Sequence, residues 1–401
     1  MKNRIPALDG VRGLALLLVV LYHVVMFGRV EAVSLPERLI ERVALKFWLG
    51  VDLFFVLSGF LITGILLKTR GTAHYYRNFM MRRVLRIFPL YYLFIVVFFL
   101  VLPMLFPAHA ELQRLPPLQA WYWLYIPNVR IFLQGDWYAH YAEHTWSLAI
   151  EEQFYLVWPL VVLFAGAKRL LWIGGFCTLA SLALRIWLTT HGANYAKALV
   201  LTPAHLDGVM LGSMLAVLVE LLEKEPQKLR RLMFKAMGVA VVGLAATVVA
   251  PLSSSTKHYA FTVTWASLLF TAMLGLIVTG RPGSWLEWLL GNPVLRFVGF
   301  YSYGLYLIHE SIFRELGRHL PTRTGPAIVH WLVLAVLGSA ISVLLAMLVY
   351  HGYEARFLSL KRFFPSGRPD SHSALAPAHG PDARSALGKP STPVAAPSIR
   401  S

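Results

Sequence analysis

An all-α membrane bundle of about ten transmembrane helices is the fold this sequence predicts. Three observations predict it. Of 401 residues, 57% are hydrophobic, and the mean hydropathy is +0.60. Only 14% are charged, against roughly a quarter in soluble domains. Apolar runs of about 20 residues, the length that crosses a bilayer, recur along almost the whole chain. One membrane domain over residues 1–355 is expected, not a string of soluble domains.

By hydropathy the spans fall near 8–29, 45–67, 88–106, 146–166, 170–189, 200–222, 236–253, 259–280, 297–317 and 328–350. The net charge of +17 is concentrated between them. Lys2 and Arg4 precede the first span; Lys68, Arg70, Arg77, Arg82, Arg83 and Arg86 separate the second and third. Lys168 and Arg169, then Lys224, Lys228, Arg230, Arg231 and Lys235, then Arg281, Arg356, Lys361 and Arg362 follow. Alternate crossing puts every cluster on one side. That is the positive-inside pattern, with both termini cytoplasmic, and not a nucleic-acid footprint. Cys177 is the only cysteine, which excludes an internal disulfide and a CxxC pair. No cleavable signal is evident. From about Ser366 the chain is rich in Pro, Ser, Ala and Gly, and 366–401 reads as a disordered cytoplasmic tail. The outer segment near 107–145 carries Trp121, Tyr122, Trp123, Tyr125, Trp137 and Tyr138. Interface anchoring is the first reading for these rings, and stacking on a sugar the second.

The first span, "LDGVRGLALLLVVLYH", holds Asp9, Arg12 and His23. At 100° per residue Arg12 and His23 lie about 20° apart around the axis and about 16 Å along it. Asp9 is about 40° away on the other side, so one polar stripe faces inward. Asp9 and Arg12 also fit a plain i,i+3 pair at the interface. By helical rise, His23, Asp52, Glu151, Glu152, Asp207 and His309 all fall about 8–12 Å below the outer face. Ionisable groups at that depth are costly and mark function. The layer predicts one buried chamber for reaction or transport.

Acid–base chemistry is available there. A neutral imidazole can take a proton from a hydroxyl as its oxygen attacks a carbonyl, and a carboxylate can hold the ring's tautomer. Asp52, Glu151 and Glu152 are the candidate carboxylates for His23, and spacing does not choose among them. Metal binding is the weaker reading, since no HxxxH or CxxC spacing occurs. In "FFVLSGF" Gly59, with Gly64 further on, suits close helix packing, while Ser58 can also hydrogen-bond a substrate. In "HTWSLAIEEQFY" the i, i+4, i+8 spacing puts Ser147, Glu151 and Tyr155 on one face. "RRVLRIFP" places Arg82, Arg83 and Arg86 before a helix start, with Pro89 in its first turn. Orientation alone accounts for basic residues here, but three guanidiniums at this spacing also suit phosphate.

These elements, in this order, resemble the acyltransferase-3 family of membrane acyltransferases over roughly residues 4–355. The matching pieces are Arg12 and His23 with ten residues between them, "FFVLSGFLI", the RxxR of Arg83 and Arg86, "TWSLAIEEQFY", "HLDGVMLG" and "YSYGLYLIH". The resemblance implies transfer of an acyl group, with acetyl the usual one, from a coenzyme A donor to a hydroxyl of a carbohydrate or lipid-linked glycan. His23 matches the essential histidine and Arg12 its partner. Arg83 and Arg86, with Arg82 beside them, match the donor's arginine pair. Glu151 and Glu152 fall in the acidic stretch. Ser58, Trp146, Ser147, Tyr155, Asp207, Tyr306 and His309 lie in the matching motifs and are the expected substrate contacts. His205 stands where many members carry Arg. The roughly 50 residues after the last span are too few for the SGNH hydrolase-like domain of many members, so the form without it is expected. Acyl-CoA is expected as co-substrate, with no permanently bound cofactor and no nucleic-acid partner. An inner-membrane, multi-pass location follows. A glycan or lipid flippase through the same layer is the rival reading, and a structural subunit of an export complex a third.

Overall fold

The computed structural model describes residues 6–249, 255–280, 283–321 and 325–365, and these are helices joined by turns, with no strand among them. The long helices are α1 (Pro6–Phe27), α3 (Gly50–Thr69), α4 (Tyr75–Val96), α5 (Thr145–Phe164), α6 (Ala167–Thr190), α7 (Asp207–Leu221), α8 (Pro226–Val249), α9 (Ser255–Val278), α10 (Ser302–His319) and α11 (Ala327–Val349). A shorter α2 (Leu35–Ala44) lies between α1 and α3. Seven helical stretches among the described residues are long and apolar enough to span a membrane. The all-α polytopic expectation therefore holds. The tail at 366–401, Lys2, Arg4, Arg281 and the end of the span expected at 236–253 lie outside the described residues.

Several boundaries differ from the sequence reading, each for a physical reason. The basic stretch after α3 is not a loop before a helix. Helix α4 begins at Tyr75 and carries Arg77, Arg82, Arg83 and Arg86 on its own surface, with Pro89 in its interior. Arginine is a good helix former, so basicity did not mark a break. The span expected at 200–222 is only the 15 residues of α7. A short helix and a 3-10 turn precede it, because His205 and Asp207 turn into the protein to find partners. The C-terminal half of α10 carries Glu310, Arg314, Glu315 and Arg318, which pair with one another and with Glu111, so this half meets protein. The amphipathic α2 was not anticipated. Ser34 caps it, and the Glu37 carboxylate accepts from the Ser34 amide at 2.9 Å, a reciprocal capping box.

Part of the aromatic set at 121–138 packs inside the protein, while Tyr138 stays 41% exposed. Residues 112–134 fold into short helices, of which Gln119–Trp123 packs against α4 and Pro127–Gln134 against α5. The Tyr125 ring stacks on Tyr91 at 3.8 Å and the Trp123 ring on Tyr92 at 5.5 Å, and Tyr122 is fully buried. Burial of ring area plus favourable ring geometry outweighs the interface preference.

Helices α3 and α7 touch through small residues. A Cβ on Gly59 would fall 1.9 Å from the Val209 carbonyl oxygen, and one on Gly212 would fall 2.0 Å from that of Val56. Only glycine permits this backbone contact. Gly64, expected to act in the same way, faces open space.

Candidate active site

A cavity of 490 Å³ opens between α1, α3, α4, α5 and α10. Its lining runs along α3 from Val51 to Thr69, about 27 Å of helix rise. One end is basic, with Arg82, Arg83, Arg86 and Lys361. The far end is closed by Ser147 and Tyr306, whose hydroxyls are 2.5 Å apart. The Tyr306 hydroxyl also donates to the His144 carbonyl at 3.1 Å.

The middle of the cavity holds the face expected on α5. Ser147, Glu151 and Tyr155 all line it. Glu151 accepts the Ser58 hydroxyl at 2.7 Å and the Tyr155 hydroxyl at 3.1 Å. A carboxylate with two hydroxyl donors is satisfied without an ion pair, so it can sit beside a guanidinium and leave it available. Across the cavity, Arg12 donates to Asp9 at 3.1 Å, the i,i+3 pair of the polar stripe.

The three arginines of α4 are not equivalent. Arg82 donates to the carbonyls of Lys361 (3.1 Å) and Phe364 (2.9 Å). Arg86 pairs with Glu354 at 2.8 Å. Arg83 makes no hydrogen bond or ion pair among the described residues. Its guanidinium lies over the rings of Phe79 and Tyr155, 5.6 and 5.5 Å from their centroids. The phosphate site expected of all three thus rests first on Arg83. The other two are drawn off by the chain around 354–365, which sequence spacing could not bring to α4.

His23 does not line the cavity. It lies behind Tyr306, with its ring 4.9 Å from that of His309, while Tyr306 and His309 rings are 5.7 Å apart. His23 Nδ1 is 2.8 Å from the Val19 carbonyl, and His309 Nδ1 is 2.8 Å from the Tyr306 carbonyl. Carbonyls only accept, so both Nδ1 atoms carry the proton. His309 Nε2, 3.3 Å from His23 Nδ1, is then an acceptor. This leaves the lone pair of His23 on Nε2, the atom a base needs.

No expected carboxylate meets this pair. Asp52 is bound to His205 Nε2 at 2.9 Å. Asp207 takes Arg185 Nη2 at 2.5 Å and Thr264 at 2.7 Å. Trp146 packs against His205 with rings 5.5 Å apart, and neither Trp146 nor Glu152 lines the cavity. The single expected layer is therefore three groups: the cavity residues, the histidines, and a polar knot of Asp52, His205, Asp207 and Arg185. Depth along a helix leaves its rotation open, and rotation decides which groups meet. The residue facing the histidines is Glu310, through His144 Nδ1 at 2.7 Å. Glu310 directly follows "YSYGLYLIH" and His144 opens "HTWSLAIEEQFY", and that was their only signal.

The fold and site define a polytopic helical membrane protein whose buried cavity joins a basic end to the near side of an imidazole cluster. It belongs to the acyltransferase-3 family, whose acyltransferase-domain model matches residues 5–351. Over 330 residues it is 28% identical to the peptidoglycan O-acetyltransferase OatA of Listeria monocytogenes, covering 78% of this chain and 50% of that protein. Over 370 residues it is 28% identical to YrhL of Bacillus subtilis, provisionally named a peptidoglycan O-acetyltransferase, covering 87% of this chain and 54% of that one. A provisionally named O-acetyltransferase of Staphylococcus aureus is 26% identical over 369 residues, covering 88% and 57%. The chain spans about half the length of the curated relatives it matches.

Proposed function

We propose that this protein transfers an acyl group, acetyl in the first instance, from acyl-CoA to a hydroxyl of a carbohydrate or lipid-linked glycan. It would do so in the inner membrane, with the donor entering from the cytosol. The observation that carries this reading is the cavity: it runs from Arg83 to Tyr306, one ring short of His309 and His23. Donor phosphates meet Arg83 at the basic end. The thioester arm extends toward the Tyr306 and Ser147 wall, and rotation of the Tyr306 phenol opens the last step to His23. His23 Nε2 takes the acceptor's proton as its oxygen attacks the thioester carbonyl. The C–O bond forms, the C–S bond breaks, and the proton passes to the departing thiolate, giving free coenzyme A. A buried base and an electrophile held apart from bulk water favour transfer over hydrolysis.

Membranes carrying the protein, supplied with labelled acetyl-CoA, are expected to gain alkali-labile label on glycan. Membranes without the gene are expected to gain none. Gene-dependent glycan movement with no label would replace this reading with the flippase. Arg83→Ala is expected to raise the donor KM roughly tenfold, with kcat little changed. One charge-assisted hydrogen bond to phosphate is worth about 1.5–3 kcal/mol. A donor titration checks it, and an unchanged donor KM removes Arg83 from the phosphate site.

A further inference from the structure

The histidines need a counter-charge that the reading above does not supply. A proton taken by His23 creates an imidazolium in a water-poor interior, where an unbalanced charge is costly. Glu151 is held by two hydroxyls in the cavity, and Asp52 belongs to His205. Glu310 is different. It is 3% exposed and adjoins His309 in sequence. Its Oε2 is 2.7 Å from His144 Nδ1, and its Oε1 accepts from Arg314 at 2.9 Å. Arg314 does not cancel it alone, because the same guanidinium also faces Glu143 at 3.6 Å. The His144 ring is 5.9 Å from the His309 ring, which is 4.9 Å from that of His23. His144 Nε2 is buried and has no hydrogen-bond partner among the described residues. Three imidazoles thus form a chain from His144 through His309 to His23, with one buried carboxylate at the His144 end.

We propose that Glu310, acting through His144 and His309, is the carboxylate that balances the imidazolium formed on His23 during acyl transfer. This rests on the acyl-transfer reading. Glu310 is a positioning residue: it touches neither donor nor acceptor. Its carboxylate accepts from His144 Nδ1–H, which leaves the lone pair of that ring on Nε2, and its negative charge lowers the cost of a positive charge anywhere in the cluster. The proton still travels from the acceptor hydroxyl to His23 Nε2 and on to the thiolate sulfur, so nothing else is consumed. The groups that face Glu310 are Tyr22 and His23 from α1, Tyr122 from the short helices after α4, Glu143 and His144 from the turn before α5, and Tyr306, His309 and Arg314 from α10 itself.

The test compares Glu310→Gln and Glu310→Asp with the full-length wild type in native membranes, using labelled acetyl-CoA and the endogenous glycan. Glutamine keeps an oxygen that accepts from His144 but removes the charge. Without the carboxylate the imidazolium is less stable, so His23 stays a base to lower pH and is a weaker one. Glu310→Gln is therefore expected to lower kcat about tenfold and move the acid limb of the kcat profile about one pH unit downward. The donor KM is expected to stay as in wild type. Glu310→Asp, which keeps the charge, is expected to hold the acid limb in place. A fall in rate with an unmoved acid limb means a merely structural role and overturns the proposal, as does a change confined to the donor KM. Absence of label with the wild type instead brings down the acyl-transfer reading, and this one with it.

Discussion

His23→Ala is expected to lower acyl transfer by roughly 10³–10⁴-fold while the protein still inserts at normal abundance. A positioned general base is worth about 10²–10⁴ in rate, and no second group among the described residues stands where His23 Nε2 does. The fold should survive the change. The ring leaves contacts with Phe27 and His309 and one bond to its own helix, a loss of the kind small cavities cause. Labelled transfer and immunoblotted abundance, measured on the same membranes, check both halves. Transfer near the wild-type rate would remove His23 from the chemistry.

Arg185→Ala is expected to destabilise the protein by about 3–5 kcal/mol, the usual cost of stranding one partner of a buried ion pair. Arg185 is fully buried and donates to both oxygens of Asp207, to Thr264, and to the carbonyls of Ala204 and Ala260. It ties α6, α7 and α9 together at one point. Its removal leaves a carboxylate in the interior with one hydroxyl donor, Thr264. Thermal unfolding in detergent reads the loss. Arg185→Met combined with Asp207→Leu is expected to recover most of it, since an apolar pair strands no charge. If the single variant melts with the wild type, Asp207 has another partner and the knot is not structural.

That contrast shows what the sequence could carry. Within one helix, spacing is geometry: Ser147, Glu151 and Tyr155 were placed on a common face by their interval, and all three line the cavity. Arg12 and Asp9 were likewise paired by a three-residue step. Between helices, spacing says nothing about rotation. Asp52 and Asp207 were expected in one layer with His23 and His309, yet Glu310 is the carboxylate that turns toward those histidines, and its partner His144 is 166 positions away. Helix limits failed where composition misled. Arginines near residue 82 looked like a loop, and charges along α10 masked how much of it is packed on protein.

The bonds from Arg82 to the carbonyls of Lys361 and Phe364, and from Asn78 to that of Pro365 at 3.1 Å, bring main chain to the basic end of the cavity. Main-chain oxygens are present whatever side chain a codon specifies. An inhibitor that shares those oxygens would leave the cell few escape routes by point mutation, whereas one gripping Lys361 could be shed by a single nucleotide change.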